Sequence, residues 1–490
     1  MAESIKQKAV KGMVWSLIQR FSSVGIQFVS GIILARLLMP SDYGAIGMLL
    51  IFMTVAQAFM DCGLGAALIQ RKEPTQTDYS TIFWWNIIMS LILYVIMYIS
   101  APFIADFYHM PILSKVFRVQ SVVLIISAIS LIQANQLRKQ FCFKKIATTD
   151  LTASIISLIV TIYMAYHGYG VWSLVAQNLL MALIPAIIYW ITNRWFPSFR
   201  FSIKSFKSLF SFGVFVFLTN LISSICDNIQ GLLIGRFFNA SLMGFYSKAR
   251  STERIASLSI SEALRQVVFP LYSALQNDKL ALINVIRQLT QLVSFVIFPL
   301  MFLLILLAKP IFVLLYSDKW LESVPFFQML CLWGLSGCLQ SINTQTISAI
   351  GKSKSMFKWT LVKRFVGIIF IIGGFVFGGI WGVIVGTVIQ GWFSYFINVA
   401  LVSKFVGYKF GQQMMNLVPT LLLSMACFSL TFLTTRLVDC EMYISAIVAF
   451  VQYLGMYILL AYVFKMEAFM ILLNKLKARR FLVKKVKSYD

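Results

Sequence analysis

The chain has 490 residues, of which 59% are hydrophobic and 12% charged, with a mean hydropathy of +0.83. Soluble domains carry about 25% charged residues, so a soluble fold is excluded and an all-α polytopic membrane protein is indicated. The net charge of +25 is dispersed in short segments between apolar spans, which fits the positive-inside bias and attraction to anionic lipid and excludes nucleic acid as a partner.

Hydropathy and helical period predict about fourteen transmembrane helices. In chain order they are Met13–Leu37, Gly44–Ile69, Thr81–Ile104, Phe117–Leu137, Thr148–Tyr166, Val171–Ile191 and Phe212–Gly235. Then come Phe245–Tyr272, Leu289–Ala308, Val324–Ile350, Phe357–Phe377, Ile380–Val402, Leu417–Thr434 and Tyr443–Phe464. The first is too long for a signal-peptide core and lacks a small-residue cleavage site, so it reads as a membrane helix. The eighth is interrupted by charge. A short helix after a polar loop is the other reading of that stretch.

With the N-terminus placed inside, the cytoplasmic segments hold 28 basic residues and the opposite side 7. That asymmetry predicts both termini in the cytoplasm. The predicted location is the bacterial inner membrane.

Leu34-Ala-Arg-Leu-Leu-Met-Pro-Ser-Asp-Tyr-Gly44 repeats as Ile234-Gly-Arg-Phe-Phe-Asn-Ala-Ser-Leu-Met-Gly244. Arg36, Ser41 and Gly44 fall on Arg236, Ser241 and Gly244. Upstream, Gly31 falls on Gly231 and Ser23 on Ser223. The repeat divides the chain into an N-terminal six-helix bundle (residues 1–200) and a second one (201–403). Six is even, so the symmetry is a pseudo-twofold along the membrane normal. Residues 404–464 add two helices. Residues 465–490 read as a basic amphipathic tail on the inner leaflet.

Intramembrane charge marks function by default. The first span carries Arg20, Ser23, Gln27 and Ser30 on one face. The seventh carries Asn220, Ser223, Asp227 and Gln230 at the same spacing. Two matched stripes predict a shared wet cavity, lined also by Ser257 and Ser261. In the eighth span Arg250, Arg254, Ser257, Ser261 and Arg265 form a cationic stripe, which calls for an anion opposite. Asp61, Asp227 and Glu262 are the candidate ion-coupling carboxylates. Snorkelling to the headgroups is the competing reading for Arg20 and for Lys363 with Arg364, about 10 Å from helix ends at 1.5 Å per residue. Structural hydrogen bonding is the competing reading for Asp61 and Asp227. Arg36 and Arg236 read as anchors at the external interface.

No Walker A, dinucleotide glycine pattern or HExxH occurs, and the external segments are short. The seven cysteines are scattered without a CxxC pair and there are two histidines, so neither a disulfide framework nor a metal site is expected. No cofactor and no catalytic residue is expected. His109 and His167 read as solvated loop residues.

The residues resemble a known family, the bacterial polysaccharide exporters and lipid-linked oligosaccharide flippases of the multidrug/oligosaccharidyl-lipid/polysaccharide superfamily. The carriers are Lys11-Gly-Met-Val-Trp-Ser16, the Leu34–Gly44 segment, Asp61-Cys-Gly-Leu-Gly-Ala-Ala-Leu-Ile-Gln70, Gly235-Arg-Phe-Phe and Gly244-Phe-Tyr-Ser247. The similarity is nearest to exporters of colanic-acid or teichuronic-acid type. It implies two bundles forming a V around a cationic cavity and alternating access by an undecaprenyl-diphosphate-linked glycan. Arg20, Arg250, Arg254 and Arg265 would hold the diphosphate. The implied partners are the lipid bilayer, that glycan, and polysaccharide polymerase or export machinery. A drug antiporter of the same superfamily is the first alternative; it should present carboxylates to a cationic cargo. A membrane glycan polymerase or glycosyltransferase is the second; it should carry catalytic residues on a large external loop.

Overall fold

The computed structural model describes residues 2–437 and 441–474. The side chains of residues 2–14, 17, 258–260, 262–267 and 353 lie outside the described set, as do residues 438–440 and 475–490. The described residues are almost wholly helical. In order the helices are α1 (Ala2–Leu37), α2 (Pro40–Asp61), α3 (Leu64–Gln70), α4 (Gln76–Phe107), α5 (Ile112–Gln120) and α6 (Val122–Lys139). They continue with α7 (Phe143–Tyr166), α8 (Val171–Asn193), α9 (Ile203–Phe237), α10 (Ala240–Ala274), α11 (Lys279–Leu306) and α12 (Ala308–Tyr316). The last are α13 (Ser323–Ala349), α14 (Ser353–Val406), α15 (Phe410–Met415), α16 (Val418–Leu437) and α17 (Met442–Val463). A further helical stretch covers residues 467–474.

Among the described residues, eleven stretches are long and apolar enough to cross a membrane. The protein is therefore a multi-pass membrane protein. Helices α10 and α13 have 35 and 27 residues but fall outside that set.

Several helices start before their apolar runs because polar caps extend them. Thr75 and Asp78 form a reciprocal cap at the head of α4: the Asp78 amide donates to Thr75 Oγ1 at 3.2 Å and the Thr75 amide to Asp78 Oδ2 at 2.8 Å. Asp78 is buried and also pairs with Arg71 at 3.1 Å. The Asp278 carboxylate starts α11 in the same way.

The expected second span, Gly44–Ile69, is broken. Cys62 (φ 47°) and Gly63 (φ 69°) turn the chain left-handed between α2 and α3. The Asp61 carboxylate then accepts the Gly65 amide at 3.0 Å, satisfying the head of α3. The eleventh and twelfth spans form one continuous helical record, α14, folded back at Gly378 and Gly379. Gly379 sits at φ 55°, ψ −133°, a region closed to residues with a Cβ.

Contacts divide the chain into two compact units, residues 1–247 and 248–490. In the first, α1 packs on α7, α7 on α8, α6 on α4 and α8, and α9 on α2 and α3. The seventh span thus packs with the six before it, although the sequence repeat restarts near residue 201. An aromatic cluster closes one end of this unit: Trp84, Trp85, Trp190 and Trp195 pack around Phe83 and Leu68. Trp84 donates to the Ser198 carbonyl at 2.9 Å and Trp190 to the Ile129 carbonyl at 3.0 Å. These rings anchor a loop, so Trp84 and Trp85 are packing residues. In the second unit α13 packs on α14 and α11, and α16 and α17 pack on α11 around Phe295, Phe302, Tyr453 and Tyr457.

Candidate functional site

The polar stripe on α1 has two edges. At about 100° per residue, Gln19 and Ser30 lie on one side of it and Arg20 and Gln27 on the other. The first edge is bonded into its own unit. Gln19 Nε2 donates to the Asp150 carboxylate of α7 at 2.5 Å, and Ser30 receives Gln177 Nε2 of α8 at 3.1 Å. Tyr189 OH of α8 lies at 3.5 Å from the second Asp150 oxygen. The other edge is open: Arg20 and Gln27 are exposed, with Ser23 half-buried between the two. Fixing one edge sets the azimuth of the helix and so the direction of the other.

On α9 the stripe divides in the same manner. Asn220 and Asp227 are exposed, Ser223 is half-buried and Gln230 is buried. Neighbouring Asn228 donates to Thr54 of α2 at 3.3 Å and to the Ser224 carbonyl at 2.8 Å. Gln230 is therefore the buried end of the stripe in this structure, while Asn220 and Asp227 are exposed. Arg236 anchors the end of α9 as expected. It donates to the Phe107 carbonyl, contacts His109 Nε2 and lies over the Phe107 ring at 4.9 Å.

In the second unit, α10 is held by both polar and apolar contacts. Lys248 is buried over the Tyr316 ring at 4.0 Å, and Thr252 meets the Tyr316 hydroxyl at 3.1 Å. Ser257 is buried, and its carbonyl accepts the Cys338 thiol at 3.4 Å; Ser261 donates to Cys338 Sγ at 3.5 Å. Ser261 thus faces α13 here, and the Ser257 backbone meets the same helix. Arg254 is exposed and Arg250 half-buried. The side chains of Glu262 and Arg265 lie outside the described residues. Glu253 is fully buried against Gly334, whose added Cβ would come within 2.3 Å of the carboxylate. Arg250 and Arg254 are its electrostatic neighbours. The stripe thus has a buried carboxyl group beside it, a role that sequence spacing did not assign to Glu253.

Asp61 caps α3, as described above. Lys363 donates to Asn398 Oδ1 at 2.7 Å across the arms of α14 rather than reaching for headgroups. The residue that sequence reading passed over is Asp150. It stands two positions inside the predicted fifth span and looks interfacial there. Applying the intramembrane-carboxylate rule without regard to depth would have singled it out.

The model of the polysaccharide biosynthesis protein family matches residues 33–325, more than half of the chain. The chain belongs to the polysaccharide biosynthesis protein family. It is 27% identical over 358 residues to the teichuronic acid biosynthesis protein TuaB of Bacillus subtilis, covering 73% of this chain and 74% of that one. It is 23% identical over 441 residues to the lipopolysaccharide biosynthesis protein WzxC of Escherichia coli, covering 86% and 88%. Its fold is similar to that of lipid II flippase MurJ in an inward closed conformation, with a TM-score of 0.73 at 16% identity over 92% of this chain and 99% of that one. The fold is thus similar to that of a solved lipid flippase over nearly the whole of both chains.

Proposed function

We propose that this family member is a flippase that carries an undecaprenyl-diphosphate-linked oligosaccharide across the bacterial inner membrane. It is a transporter of polysaccharide biosynthesis, not a catalytic enzyme. The observation that supports the substrate most is the open edge of α1. Arg20 and Gln27 are exposed on a helix of membrane length, and the opposite edge is bonded in place. A guanidinium on a helix held in this way suits a diphosphate, which it can grip through two parallel hydrogen bonds. Arg250 and Arg254, with Arg265, are the proposed further ligands during transport. Gln27, Asn220 and Asp227 are proposed to meet the sugars. We also place both termini in the cytoplasm, count α10 and α13 as crossings, and keep residues 1–200 and 201–403 as the two repeats. Polymerase and export machinery are the proposed downstream partners.

The test follows lipid-linked glycan across the membrane in cells carrying Arg20→Ala, Arg254→Ala or Arg265→Ala. A charge-assisted hydrogen bond is worth about 1.5–3 kcal/mol, so each loss should slow transport by about 10- to 100-fold. Normal translocation by all three, with the protein present at parental levels, would overturn the cationic site. A cationic-drug antiporter is the poorer reading, because the exposed edges of α1 and α10 carry arginine.

A further inference from the structure

The repeated motif that ends in Gly44 and Gly244 makes a reciprocal contact. A Cβ on Gly44 would lie 1.8 Å from the Ala240 carbonyl oxygen and 2.6 Å from its carbon. A Cβ on Gly244 would lie 1.8 Å from the Pro40 carbonyl oxygen and 2.6 Å from its carbon. The first turns of α2 and α10 therefore cross backbone on backbone. Neither glycine has a positive φ, so space and not conformational freedom demands it. One turn deeper, a Cβ on Gly47 would meet Ser247 Oγ at 2.7 Å and Met243 Cε at 2.8 Å, and a Cβ on Gly231 would meet the same Met243 Cε at 3.1 Å.

Both helix heads are capped from within. The Asp42 carboxylate accepts the Met39 amide at 3.0 Å, and Asn239 Oδ1 accepts the Leu242 amide at 2.8 Å. Each of these capping bonds lies within its own helix head. At the crossing, glycine-exposed backbones and Met243 lie in dispersion contact, which falls off steeply with distance. Such a contact is tight when closed and leaves the capped heads intact when parted. Serines 41 and 241 and the capping residues are ready for water on its rim.

We infer that this paired-glycine crossing is the outer gate of the transport path, closed in this structure and parted when the path opens outward. The inference rests on the transport reading and topology above, which put residues 40–44 and 240–244 on the outer side. The glycan is far too wide to pass a backbone-on-backbone contact. A side chain at either glycine holds the crossing apart, because a backbone carbonyl has no rotamer with which to yield.

The experiment places a single cysteine at Ser247, a near-isosteric change just beneath the crossing, in a cysteine-depleted chain that complements export in cells lacking their own copy. Lipid-linked glycan synthesis is switched on or off through its first glycosyltransferase, and a small membrane-impermeant maleimide is added from outside. Labelling should be slow without glycan and rise about tenfold or more during export. Gly44→Ala with Gly244→Ala should label fast in both conditions and export poorly. Export with Ser247→Cys labelling that is the same in both conditions would overturn the gate. So would parental export and labelling in the double alanine protein. If that protein does not accumulate, the comparison with and without glycan in the glycine-bearing protein decides alone. Failure of the uncomplicated parent chain to restore any export would instead remove the transport reading.

Discussion

Replacing Asp150 should loosen α1 from its unit and disorient Arg20. Asp150 accepts Gln19 Nε2 at 2.5 Å and faces Tyr189 OH at 3.5 Å. The first is an amide-to-carboxylate hydrogen bond; the second is at the outer limit of a hydrogen bond. Asp150→Ala leaves the Gln19 amide without its acceptor in a half-buried place, a loss of about 2–3 kcal/mol. Asp150→Asn keeps the shape and one acceptor oxygen and should lose about 1 kcal/mol. A unit of this size shifts by about 2–4 °C per kcal/mol. Thermal unfolding in detergent should therefore move down by about 4–12 °C for the alanine and about 2–4 °C for the asparagine.

A double-mutant cycle isolates the bond from the rest of Asp150. Gln19→Ala and Asp150→Ala should be non-additive by about 1–2 kcal/mol, the double mutant being little worse than Asp150→Ala. Because α1 would lose one of the two bonds that fix this edge, glycan translocation should fall with the single alanine even though Arg20 is intact. Additive losses in the cycle, or unaltered unfolding of Asp150→Ala, would refute the view that this bond sets the azimuth of α1.

Two further outcomes are expected. Gly379→Ala forces a Cβ into a backbone region that only glycine occupies, with φ 55° and ψ −133°, and should destabilise the hairpin of α14 by about 1–3 kcal/mol, read as a lower unfolding temperature; Gly373→Ala, with open space around it, serves as the neutral comparison. Glu467 is held below the usual carboxylate range by its hydrogen bond from Gln291 and by Arg287, which it meets at 2.6 Å. A lowered folded value means that the tie is present above the unfolded value near pH 4.5 and lost as pH falls through the folded one. A spin label at residue 471 should therefore gain mobility as the pH is lowered past the unfolded value near 4.5, by an amount suited to an exposed pair worth less than about 1 kcal/mol. Glu467→Gln should already be mobile at neutral pH and show no such transition.

Much of the helical layout was legible because apolar length and punctuation carry it. The Gly378-Gly379 pair marked the hairpin between the eleventh and twelfth spans within a residue or two. The head of α13, Ser323, differs by one residue from the predicted Val324. The break between α2 and α3 was not legible, since apolar residues continue on both sides of Asp61-Cys-Gly and the stretch is long enough to read as one span. The carboxylate's bond to the Gly65 amide helps to stabilise that interruption. The stripes on α1 and α9 were legible as faces, but not their division into bonded and open edges. Helical spacing locates a side chain to within a sector and says nothing of the partner from another helix. Gln19 and Asp150 are 131 residues apart, and no local pattern joins them.

The use made of acidic side chains bears on what this transporter carries. There are 17 carboxylate side chains against 42 lysines and arginines. Of those described, Asp42, Asp78 and Asp278 cap helices, and Asp61 caps α3. Asp150 takes Gln19, Glu253 is buried against α13, and Glu467 takes Arg287 and Gln291. These acids are directed to backbone amides or to neighbours in their own unit. A path for cationic cargo needs carboxylates turned toward it, because a desolvated ammonium must be met by opposite charge. The exposed edges instead present Arg20, Gln27 and Arg254, with Asp227 as the acidic exception on α9. Reversing Arg20 to Glu should therefore abolish export of the diphosphate-linked glycan more completely than Arg20→Ala. Repulsion is then added to the lost attraction.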